Sequence, residues 1–94
     1  MSEWKPRGRD VVIGDVPWLA RMTDKARAKA DGTIGEYIFP CPIDQRLVNE
    51  AGMTAEEFMQ LAVEIQDDEA LAAEFKRRSG RDDWSGFEIP PPRG

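Results

Sequence analysis

The sequence predicts a mainly α, single-domain bundle of about four helices, with a short two-stranded β ribbon as an optional addition. Three observations carry that prediction. Apolar residues recur at helical spacing in four separate segments. Each segment is bracketed by residues that start or stop helices. β-Branched and aromatic residues cluster only briefly, at 11–13 and 34–39. A chain of 94 residues with 40% hydrophobic content buries about 60 to 65% of its unfolded surface, enough for a modest core without disulfides.

Residues 1–9 form a polar, basic lead holding Trp4 and Pro6. Val11, Val12 and Ile13, bounded by Gly14, read as a short strand whose partner is Ile34 to Phe39. Such a ribbon is marginal alone and needs helices against it. Pro17 suits a first helical turn because its fixed φ fits there and its missing N–H is no loss, with Asp15 as the cap. The helix runs to about Ala30 and stops at Asp31-Gly32. Trp18, Leu19, Met22, Ala26 and Ala30 share its apolar stripe, Lys25 and Lys29 border it, and Arg21, Asp24 and Arg27 face away.

A second helix starts at Pro42 and ends near Ala51-Gly52, with Ile43, Leu47, Val48 and Ala51 inward. The third has the clearest signal, since Thr54-Ala-Glu-Glu57 is a capping box ahead of Phe58, Leu61, Ala62 and Ile65. Widened by Met59 and Val63, its stripe predicts the most buried helix. Asp67 caps a fourth, peripheral helix that ends at Ser79-Gly80, with Leu71, Ala72 and Phe75 inward. The helical domain therefore spans 10–80, and 81–94 is a tail of Pro and aromatics whose proline run favours an extended conformation. Trp84 and Phe87 in that tail predict packing onto the domain or onto a neighbour, and Trp4 and Trp84 are the tryptophans expected at an intermolecular contact.

A net charge of −5 argues against a dedicated nucleic-acid binder. The average conceals an asymmetry: residues 1–30 carry seven Lys or Arg against four acids, giving +3, and residues 31–94 carry six against fourteen, giving −8. One end attracts an anion and the other a basic partner. The single cysteine fits a reducing compartment. With no signal-peptide core at the N-terminus and no apolar run of about 18 residues, the expectation is a soluble cytoplasmic protein with no membrane contact.

Arg21-Met-Thr-Asp-Lys-Ala-Arg-Ala28, Gly32-Thr-Ile-Gly-Glu-Tyr37 and Cys41-Pro-Ile-Asp-Gln-Arg46 resemble a small bacterial family, the domain of unknown function DUF5069. The resemblance spans roughly Pro6 to Arg78, is most specific from Leu19 to Leu47, and leaves the tail from Arg81 particular to this chain. It implies the domain boundaries and the segment to suspect, and carries no chemistry with it.

That segment, 18–47, concentrates charged and reactive side chains without histidine, metal-ligand spacing or a phosphate loop, so no cofactor or metal is expected. Asp44 falls inside the apolar face of the second helix, either as a first-turn cap or buried partner of Arg21 or Lys25, or as a ligand-facing carboxylate. Cys41 sits between two prolines at a helix N-terminus, as inert packing or as a nucleophile for which Glu36, Asp44 or Tyr37 would be the base. Glu36 and Tyr37, neighbours on an extended segment, should point to opposite faces, with Tyr37 in the core and its hydroxyl on a helix. Arg21, Lys25 and Arg46, with Trp18 beside them, make the anion site of the leading hypothesis: a domain binding a small anionic molecule or a partner's carboxylate, oriented by Asp44 and Tyr37. Two alternatives stand beside it: a small enzyme using Cys41 or a Glu36/Asp44 pair, and a homodimerising accessory subunit built on the tail aromatics.

Overall fold

The computed structural model describes residues 4–89 and holds four helices: α1 (Leu19–Asp31), α2 (Pro42–Glu50), α3 (Ala55–Glu64) and α4 (Asp68–Ser79). α3 packs on both α1 and α2. Four of the predicted boundaries have visible causes. The Thr54 hydroxyl accepts from the Glu57 N–H at 3.1 Å while the Glu57 carboxylate accepts from the Thr54 N–H at 2.9 Å, a reciprocal cap. Asp67 accepts from the Ala70 N–H at 2.9 Å. Gly32 and Gly80 end α1 and α4 in the left-handed region, where a Cβ would be strained.

The start of α1 differs from expectation. The helix begins at Leu19, its N-cap is Trp18 at φ 71°, and no side chain caps it. Asp15 instead lies exposed at φ 63°, one residue after Gly14 at φ 55°. These two left-handed residues fold 13–16 into a tight turn closed by the Val16 N–H on the Ile13 carbonyl at 3.0 Å. A Cβ on Gly14 would come within 2.3 Å of the Ala72 Cβ, so glycine is required there for α4 to approach.

The predicted ribbon is absent among the described residues: Ile13 and Val16 form one isolated bridge, and 34–37 is a turn in which the Tyr37 N–H reaches the Ile34 carbonyl at 3.3 Å. Glycines at 14 and 35 with positive φ break both runs before either is long enough to pair.

The core joins all four helices to Phe39 and to the segment after α4. Phe39, Phe58, Phe75, Trp84 and Phe87 form a continuous chain of ring contacts with centroids 5.2–6.5 Å apart. Trp84 is completely buried and donates from Nε1 to the Arg81 carbonyl at 2.9 Å. A boundary at residue 80 therefore cuts through the core, and Trp84 is not available for an intermolecular contact. The proline run from 90 lies outside the described residues.

α1, rather than α3, is the most buried helix, with seven buried residues against three, because it is covered on several sides while Val63 on α3 stays exposed. Arg27, expected to face away from the core, donates to the carbonyls of Ala62 at 2.9 Å and Ile65 at 2.8 Å, supplying a cation to the C-terminal end of α3. The N-terminal lead is anchored in the same manner. Arg7 bridges Asp24 of α1 at 3.0 Å and Asp68 of α4 at 2.6 Å. The hydrogen bond to Asp68 is the main reason the guanidinium is pushed above its ordinary value, and Arg7 in turn lowers Asp68.

Candidate functional site

Two clusters of charged and aromatic side chains meet at the start of α1. The inner one is closed. Asp44, fully buried, accepts from Trp18 Nε1–H at 2.6 Å through one oxygen, and through the other from Lys25 Nζ at 2.8 Å and the Cys41 backbone N–H at 3.0 Å. Asp44 is thus the first-turn acid that completes the N-terminal cap of α2, and at the same time the buried partner of Lys25. Lys25, 3% exposed, divides its ammonium among Asp44, the Ile38 carbonyl at 3.0 Å and Cys41 Sγ at 3.3 Å. An ammonium has three protons to donate, and three acceptors surround this one. One turn further along α1, Lys29 Nζ donates to the Phe39 carbonyl at 2.8 Å. Lys25 and Lys29 together hold the 38–41 segment, with its cis Phe39–Pro40 bond, against α1.

The outer cluster is open. Arg21 places its guanidinium carbon 5.7 Å from the centroids of both Trp18 and Tyr37, a stacked cation held in one orientation. One N–H donates to the Arg7 carbonyl at 3.0 Å, and Arg21 is in no ion pair among the described residues. Arg9 also lies over Trp18, at 5.4 Å. Trp4 meets Tyr37 edge to face, at 5.5 Å and 87°. Trp4 and Tyr37, with Lys5, Ile34 and Glu36, line a pocket of about 290 Å³. Lys5, too, is in no ion pair among the described residues, and Trp4 remains 37% exposed.

The structure sorts the residues of 18–47 differently from the sequence. Trp18, Lys25, Cys41 and Asp44 converge, but on each other. Arg21 and Tyr37 converge on the outer face. Arg46 joins neither, because it lies about 200° around the helix from Asp44 and stacks over Phe87 at 4.9 Å. Glu36 is exposed and Asp44 is not, so the two carboxylates do not share an accessible site. Tyr37 is half-buried beneath Trp4 and Arg21, and is not a core residue. Glu36 and Tyr37 both line the pocket, since strand alternation does not apply in a turn.

Lys5 and Arg9 were not singled out by sequence reasoning as members of the site. The available signal was the basic charge of the lead; what was missing was the Arg7 anchor, which brings the lead back over α1. Among the described residues, no group of three or more His, Cys, Asp or Glu is placed to hold a metal, and no helix is long and apolar enough to cross a membrane.

Fold and site together define a small all-helical domain with one closed ionic cluster inside and one open, cationic and aromatic face. The chain belongs to the family described as "Domain of unknown function (DUF5069)", whose profile matches residues 3–85. The match reaches past Arg81 to include Trp84, so the first part of the tail is family sequence rather than an addition, in keeping with its place in the core. The chain is also similar to an alanine–tRNA ligase of Roseiflexus sp. (strain RS-1), 34% identical over 59 residues that make up 61% of this chain. The matched stretch spans 6% of that ligase's length.

Proposed function

We propose that the protein is a binding domain that accepts an anionic group, of a small ligand or of a partner, on the face formed by Arg21, Tyr37, Trp4 and Lys5. The observation that carries this reading is Arg21: half-buried, oriented between two aromatic rings, and without a carboxylate partner among the described residues. Arginines in such settings bind carboxylate or phosphate through two parallel N–H donors. Lys25 and Asp44 drop out of the site because their bonding capacity is already used, and Arg46 because it packs elsewhere.

A thermal-shift screen against phosphorylated metabolites, nucleotides and carboxylic acids tests the reading. A ligand at about 100 times its dissociation constant adds roughly 2.7 kcal/mol of stability. The expected result is a shift that Arg21→Ala abolishes and Arg46→Ala retains; a shift retained in Arg21→Ala removes the proposal.

One contact favours a second reading. A buried ammonium 3.3 Å from Cys41 Sγ is a setting in which thiols act as nucleophiles. Rapid alkylation of native Cys41 by iodoacetamide near neutral pH would support it, and a thiol that reacts only after denaturation would eliminate it.

A further inference from the structure

Building on the anion-binding reading above, we propose that the ligand is a nucleoside monophosphate unit, with its base, guanine, in the Trp4–Tyr37 corner and its phosphate at Arg21 and Lys5. Four features of the pocket lead to this class. The two aromatic rings stand at 87° to one another, 5.5 Å apart, so a planar ring that stacks on one presents its edge to the other. Trp4 is a large apolar side chain left partly in water by the folded chain, and a stacked base would cover it. The volume of about 290 Å³ lies at the lower end of ligand pockets, and suits one ring system with a short charged arm rather than a larger molecule. Gly35 completes the wall at φ +64°, where an added Cβ would meet nothing within 4 Å, so its backbone is open to close approach.

Charge sets the two ends of the ligand. Glu36 lines the pocket and, as a carboxylate, only accepts hydrogen bonds. Guanine offers two adjacent donors, N1–H and the N2 amino group, whereas uracil flanks its single N–H with carbonyl oxygens that a carboxylate repels. At the other end, Lys5 lines the pocket itself, while Arg21 stacks on its Tyr37 wall from outside the lining, with the guanidinium carbon 5.7 Å from the ring centroid; neither cation is in an ion pair among the described residues. One phosphate carries about −1.5 to −2 charge at neutral pH, which two cations balance. A triphosphate would exceed them.

Isothermal titration of the full chain with guanosine monophosphate, uridine monophosphate and ribose 5-phosphate tests the inference. The guanosine nucleotide is expected to bind about tenfold or more tightly than ribose 5-phosphate through base stacking, and Trp4→Ala to remove that advantage, bringing the two ligands to equal affinity. Glu36→Gln should narrow the ratio of guanosine to uridine nucleotide. Equal binding of guanosine monophosphate and ribose 5-phosphate would overturn the nucleotide while leaving the anion site standing. Binding of carboxylates alone would overturn it too, and no binding of any anion would overturn both readings. A five-residue, guanine-containing single-stranded RNA separates the sources. Tighter binding than the mononucleotide, with a steep salt dependence, assigns the unit to a strand; equal or weaker binding assigns it to a free nucleotide.

Discussion

Lys25 and Arg21 stand one turn apart on α1, carry the same charge, and each lies 5.7 Å from the same indole, that of Trp18. Their surroundings make them opposites. Lys25 faces inward onto a carboxylate, a thiol and a carbonyl, and closing that cluster positions the start of α2 against α1. Arg21 faces a tyrosine and a backbone carbonyl, neither of which neutralises it. A dense run of charges is therefore not itself a site. Unused bonding capacity in a held orientation is what distinguishes the outer face from the inner one.

The strongest way to break the comparison is to remove Lys25. Lys25→Ala leaves Asp44 as an unpaired buried carboxylate, and should cost about 3–5 kcal/mol in urea denaturation. Pairing it with Asp44→Leu should return part of that loss, since an apolar pair carries no buried charge. A single-variant loss below about 1 kcal/mol would mean that the inner cluster is no more structural than the outer one.

Arg27→Ala comes next. It deprives the end of α3 of two short charged hydrogen bonds, and should cost about 1–3 kcal/mol, with amide exchange quickening at the α3 C-terminus. Arg21→Ala should change the urea midpoint little, by less than about 1 kcal/mol, while abolishing anion binding. A large destabilisation would instead assign Arg21 to the scaffold.

The smallest effect is acidic. Arg7 lowers Asp68, and the hydrogen bonds from Arg77 and then Arg78 hold Glu74 down to about 2 from an ordinary 4.5. Both groups are more acidic in the folded chain, so their contribution is present above their unfolded values, near 4. It fades as pH falls through the folded ones. The urea midpoint should thus decline from about pH 5 to about pH 2. Arg7→Ala should flatten part of the decline, and salt should flatten the part due to Glu74, whose two arginine partners are exposed.

Local chemistry made most of the fold legible. The Thr54 and Asp67 caps, the Pro42 start and the glycine stops at 32 and 80 are all short-range devices, written in a few adjacent residues. The ribbon failed because strand runs have meaning only when a partner is in reach, and the left-handed residues at 14, 15 and 35 deny it. In 18–47, sequence reasoning grouped the charged and reactive residues by proximity along the chain, whereas the structure divides them between an inner cluster and an outer face that also takes in Trp4 and Lys5. Asp44 and Lys25 were recognisable as neighbours of an apolar stripe. That Trp18 would cap α1 in a left-handed conformation and donate its indole N–H to Asp44 was not.

The sequence alone determined four helices, all their ends but the start of α1, the excess of positive charge in residues 1–30 and the segment where reactive side chains gather, because these depend on period, capping and composition. Only the tertiary structure decided which charges were neutralised. Arg7 reaches 61 residues along the chain to Asp68, Trp84 closes the core from beyond the last helix, and Lys25 meets Asp44 where α1 meets α2. Whether an ionic group is scaffold or site depends on the partners within about 3 Å of it, and those partners come from distant parts of the chain.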